Sequence, residues 1–89
     1  MPQRQVTIVN RRGLHARAAA KFVKLAGSYE ADVVVEKEGM RVSGLSIMGL
    51  LMLAAAPGSQ VQIETDGSAA PEALEALANL VDGGFDESD

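Results

Sequence analysis

The chain has no cysteine, no tryptophan, one histidine and only three aromatic side chains, Phe22, Tyr29 and Phe85, in 89 residues. Without cysteine there is no disulfide framework and no thiolate metal site. One histidine does not make a zinc centre, which takes several nitrogen or sulfur ligands. No apolar run approaches the roughly 20 residues of a membrane span, and the longest, Ile47 to Ala56, is much shorter. The N-terminal Met1-Pro2-Gln3-Arg4-Gln5 lacks the apolar centre of a signal peptide. There is no long basic run and no set of aromatics on which bases could stack, which disfavours nucleic acid as a partner. The expectation is a cytoplasmic, monomeric protein with no metal, no cofactor and no membrane contact.

What is present is a large aliphatic fraction with an uneven charge distribution. Hydrophobic residues make up 47% of the chain. That is enough for one two-layer core, the most that a chain of this size builds. The net charge is −4. All of Arg4, Arg11, Arg12, Arg17, Lys21 and Lys24 lie in residues 1–29, which contain no Asp or Glu, while the twelve acids all lie in residues 30–89. A positive N-terminal third favours anions and acidic partner surfaces.

Hydrophobic periodicity divides the chain into seven elements. Gln5 to Val9 alternates with Val6 and Ile8 on one face, as a half-buried strand does. Over Ala16 to Ala26 the period changes, with Ala19, Phe22, Val23 and Ala26 on one helical face, Arg17, Lys21 and Lys24 on another, and Gly27 as the stop. Asp32 to Glu36 and Met40 to Val42 read as strands joined through Glu38-Gly39. Ser46 is placed to cap a short helix over Ile47 to Leu53, in which Leu50 and Leu53 face the core. Val61 and Ile63 alternate in a fourth strand closed by Asp66-Gly67, and Pro71 opens a last helix carrying Leu74, Leu77, Ala78 and Val81. The order βαββαβα predicts an α+β domain, residues 1–84, with a mostly antiparallel sheet covered on one face by helices. Residues 85–89 read as a frayed acidic tail.

The chemistry converges on Gly13-Leu14-His15-Ala16-Arg17. His15 falls at the head of the first helix, where the amides of residues 16–18 are unpaired and the macrodipole is positive. Such a position suits a phosphate, or a phosphoryl group carried on an imidazole nitrogen. Arg17 adds a bidentate phosphate partner, and Gly13 lets the chain turn sharply beside it. A histidine that merely caps a helix is the plain alternative. The arginine and the acid-free surroundings weigh against it, and residue spacing alone stops at an anion site able to accept a phosphoryl group.

That run resembles the active-site motif of the histidine-containing phosphocarrier (HPr) family of the bacterial phosphotransferase system. The likeness extends from Gln5 to about Val81, and Ser46-Ile47-Met48-Gly49-Leu50 falls where the family has its regulatory serine. The resemblance implies an open-faced sandwich, with a four-stranded antiparallel sheet and three helices packed on one face. It implies that His15 takes a phosphoryl group from enzyme I and passes it to an enzyme IIA protein, with Arg17 stabilising the group. The protein would then be a stoichiometric carrier, not an enzyme. Partners would dock between the first two helices, on Ala16, Ala20, Lys24, Ile47, Met48, Leu51 and Met52, and a serine kinase or phosphorylase would act on Ser46. Two departures stand out. Ala18 replaces the usual proline after the arginine, and Gly27 and Gly49 are neutral where sugar-system members are often basic, which tilts the recipient toward the nitrogen-related branch.

Three alternatives stay open on the residues. Ser46 is fully explained as a cap, since serine is among the best of them. The Ile47 to Met52 surface could serve a purely regulatory binding protein of the same fold, which the presence of both His15 and Arg17 argues against, or the site could be a small anion-binding module without transfer.

Overall fold

Alternating valines and isoleucines build the sheet. The structure, a computed structural model, describes residues 2–87. Its strands are β1 (Gln3–Thr7), β2 (Asp32–Lys37), β3 (Met40–Ser43) and β4 (Gln60–Asp66), and its helices are α1 (Ala16–Ala26), α2 (Ile47–Met52) and α3 (Ala70–Asp82). The sheet order is β1-β4-β2-β3, antiparallel throughout. β4, the last strand in the chain, is therefore internal. It pairs Val61 with Val6 on one side and Ile63 with Val35 on the other. All four of these side chains are buried beneath the helices, giving the open-faced α+β sandwich expected.

The helices bring mostly small or aliphatic residues to that face. On α1 these are Ala18, Ala19, Phe22 and Ala26, and on α3 Leu74, Leu77, Ala78 and Val81. Leu50 and Leu53 bury themselves from α2 and its end, as their spacing predicts. Gly44 enters that region with no space for a side chain, because a Cβ there would lie 2.4 Å from Cγ1 of Val33. Ser46 caps α2, its Oγ accepting from the Gly49 N–H at 3.0 Å.

The open face of the sheet is polar. Arg41 donates from Nη1 and Nη2 to both carboxylate oxygens of Glu64, at 2.8 and 3.0 Å, and from Nη1 to Glu36 at 2.8 Å. This bidentate pair holds the Glu64 carboxyl below its ordinary range, chiefly through the hydrogen bonds from Arg41.

Two sequence expectations shift. β1 begins and ends two residues earlier than the alternation suggests, because it pairs only as far as β4 runs, Gln3 opposite Glu64 and Thr7 opposite Gln60. Ile8 keeps its inward face and bonds instead to the approach of β4, donating to Ser59 C=O at 2.8 Å and accepting from Gly58 N–H at 2.7 Å. Gly27 ends α1 as its C-cap, as the sequence predicts, with right-handed backbone at φ −70°.

The second shift concerns the tail. The expectation of fraying from Phe85 fails at residues 85–87; Ser88 and Asp89 lie outside the described residues. Gly84, Phe85 and Asp86 have φ of +66°, +58° and +59°, a left-handed turn that reverses the chain. Left-handed backbone costs a non-glycine residue about 1–2 kcal/mol. Phe85 is 0% exposed, and burying such a side chain contributes about 1.5–3 kcal/mol. Lys21 adds a bond from Nζ to the Phe85 C=O at 2.7 Å. A lone aromatic in an acidic tail is thus a core residue. Phe85→Ala is expected to lower the free energy of unfolding by about 3–5 kcal/mol, measured by urea titration; a loss under about 1 kcal/mol would mean that the turn is detached in solution.

Candidate functional site

A tight loop after β1 aims His15. The Asn10 C=O accepts from the Gly13 N–H at 3.1 Å, and Asn10 Nδ2 donates to the Gly13 C=O at 2.7 Å. Gly13 is left-handed, φ +67°, and a Cβ on it would lie 2.6 Å from the Ala55 C=O. Only glycine fits both demands. The Leu14 N–H then donates to that same Ala55 oxygen at 2.9 Å, and the Leu14 side chain is buried. The loop before α1 is in this way tied to the segment after α2.

His15 is the N-cap of α1, with extended backbone (φ −81°, ψ 178°). Its Nδ1 accepts from the Arg17 N–H at 3.3 Å, a long bond that is readily given up. Its Nε2 faces a different neighbour, the carboxylate of Glu87. The other Glu87 oxygen, Oε1, accepts from Asn10 Nδ2 at 3.0 Å. The bond from Asn10, then that from His15, holds the Glu87 carboxyl below its ordinary range, against the opposing effect of burial. The two ring nitrogens thus meet opposite surroundings, an amide donor at a positive helix end and an anion.

The remaining predicted residues fall on two adjoining helices. Ala16, Arg17, Ala20 and Lys24 are exposed on α1, with Ala16, Ala20 and Lys24 spaced four residues apart along one face. Ile47, Met48 and Met52 are exposed on α2, which packs against α1, and Leu51 is half-buried. Ser46 is half-buried at the head of α2. Sequence reasoning missed Asn10 and Glu87. The one available signal was Phe85, an aromatic residue that needed a place in the core and so drew its neighbours in with it.

An open-faced sandwich that presents a solitary imidazole at a helix N-terminus defines a class of small protein able to hold an anionic group at its surface. The comparisons narrow that class. Residues 2–82 match the family model described as the PTS HPr component phosphorylation site. The phosphocarrier protein HPr of Neisseria meningitidis serogroup A is 46% identical over 89 residues, covering 100% of both chains. The phosphocarrier protein NPr of Shewanella violacea is 42% identical, covering 97% of this chain and 94% of its own. The solved structure of HPr from Thermoanaerobacter tengcongensis superposes with a TM-score of 0.95 at 36% identity over the full length of both chains. This chain belongs to the HPr family, the phosphocarriers of the phosphotransferase system.

Two outcomes follow from the site's geometry. Ala18 is the third residue of α1, before the first intrahelical bond, from the Ala19 N–H to the His15 C=O at 2.8 Å, so proline there removes no such bond. Ala18→Pro is expected to raise stability by about 0.4–1 kcal/mol, mainly by restricting the unfolded chain, read as a higher melting temperature. Glu87 has a folded-state value below its unfolded one, so its contribution is complete above the ordinary carboxylate range and is lost as pH falls through the lowered value. Acidification through that window should release Glu87 from the imidazole, visible as movement of the His15 and Asn10 side-chain resonances in NMR spectra.

Proposed function

We propose that the chain accepts a phosphoryl group on His15 from phospho-enzyme I and passes it to an enzyme IIA protein. The observation that carries this reading is the imidazole itself, seated as the cap of α1 with Nδ1 toward the helix N-terminus and the exposed Arg17 beside it. Nε2 is turned to Glu87, which leaves Nδ1 to take the group. A phosphoryl oxygen would replace the long Nδ1 contact as acceptor for the first-turn amides, and Arg17 would pair with the group from the side. The protein acts as a stoichiometric carrier, since the group leaves on another protein.

Ala16, Ala20, Lys24, Ile47, Met48, Leu51 and Met52 form the docking surface for both partners. Methionines there adapt to two differently shaped partners. The recipient is an enzyme IIA of the nitrogen-related branch or the sugar branch. The neutral Gly27 and Gly49 support the first, because sugar-branch members are often basic at these positions. Ser46 is the regulatory phosphorylation site for a serine kinase or phosphorylase. A phosphate on it would sit at the helix end, where the dipole tolerates charge, and would repel acidic partners.

Incubation with enzyme I and phosphoenolpyruvate should add one phosphoryl group, seen by mass spectrometry and lost in acid. His15→Ala should abolish the gain and Arg17→Ala should slow it. No gain in the wild type, or a gain that survives His15→Ala, would overturn the proposal.

A further inference from the structure

We infer that Glu87 is a positioning residue for phosphoryl transfer at His15, holding the Nε2 proton so that the Nδ1 lone pair is free to react. The inference rests on the carrier function proposed above. Three observations support it. Glu87 Oε2 meets Nε2 of His15, while Oε1 is held by Asn10 Nδ2 at 3.0 Å, so both carboxylate oxygens are engaged. Asn10 is 5% exposed, and among the described residues its Oδ1 accepts no hydrogen bond. A buried, unsatisfied acceptor is costly, and what the asparagine provides in return is a single Nδ2 that bridges the Gly13 C=O and Glu87. Finally, Glu87 is carried to the site by the left-handed turn at Gly84–Asp86, pinned by the buried Phe85 and by Lys21. The carboxylate is placed by long-range packing rather than by its neighbours in sequence.

The chemistry follows from the single proton of a neutral imidazole. With that proton on Nε2 it donates to the carboxylate, and Nδ1 keeps its lone pair. The other tautomer would set the Nε2 lone pair against an anion. A carboxylate at one ring nitrogen is the general device for fixing which nitrogen reacts. In the transfer, the Nδ1 lone pair forms the new N–P bond as the donor's bond to phosphorus breaks, that electron pair staying with the donor. The Nε2 proton does not leave. The positive charge that develops on the ring spreads to Nε2–H, beside Glu87. Onward transfer runs the same step in reverse, and the carboxylate, on the far side of the ring, touches no phosphoryl oxygen.

The test compares the wild type with Glu87→Gln in two measurements. A glutamine can turn either its oxygen or its amide to Nε2, so it holds the shape and loses the preference. Two-bond 15N–1H correlation spectra of the imidazole should show the neutral wild-type ring protonated at Nε2, and a mixture of tautomers in Glu87→Gln. The rate of phosphoryl acceptance from phospho-enzyme I should fall about tenfold, the low end for loss of such a supporting contact, with the half-saturating concentration of enzyme I unchanged. An unchanged rate would overturn the inference, whatever the tautomer. A slower rate with an unchanged tautomer, or with a raised half-saturation, would also overturn it and place Glu87 at the partner interface instead. A wild type that accepts no phosphoryl group overturns the carrier function, and this inference with it. If the wild type accepts the group and Glu87→Gln matches it, the inference alone fails.

Discussion

The site depends on one close approach, Gly13 against the carbonyl of Ala55. With no Cβ to intervene, the Leu14 amide reaches that oxygen at 2.9 Å, and two loops far apart in sequence become one piece of backbone. The head of α1 and the exit of α2 are thereby held in register. His15 follows Leu14 directly, so its orientation is a property of the packed core and not of a free loop. Any side chain at residue 13 would have to push the two helices' ends apart before it disturbed the imidazole.

The regular elements were readable because their signals are local. The helical period marked Ala16–Ala26 at both ends, and the i, i+3 spacing picked Leu50 and Leu53 out of a short helix that is apolar nearly all round. The place of His15 and Arg17 at the head of α1 was readable for the same reason. The partners of the imidazole were not. Glu87 lies 72 residues from His15, and it arrives through left-handed residues that no propensity scale favours. Composition at the C-terminus spoke for solvation, and packing of a single phenylalanine overrode it.

That override changes the electrostatic reading of the N-terminal third. Residues 1–29 contain no acid, which suggested an imidazole in a purely positive field. In space, a carboxylate from the far end of the chain sits on one side of the ring. The positive helix terminus, with the Arg17 N–H, lies on the other side, so the histidine stands in a gradient rather than in a uniform field. A gradient across a five-membered ring distinguishes its two nitrogens, which a uniform field does not.

The strand order carries a consequence for how the molecule forms. β4 lies between β1 and β2, so the first strand made has no partner until the last one has been made. Until residues 60–66 are available, the sheet pairing open among the described residues is the hairpin of β2 and β3. Non-local pairing of this kind slows folding. On the ribosome, α1 would emerge with its apolar face uncovered and wait for most of the chain to follow. A nascent chain stalled before β4 would present that face, and the edge of β2, to whatever lies nearby.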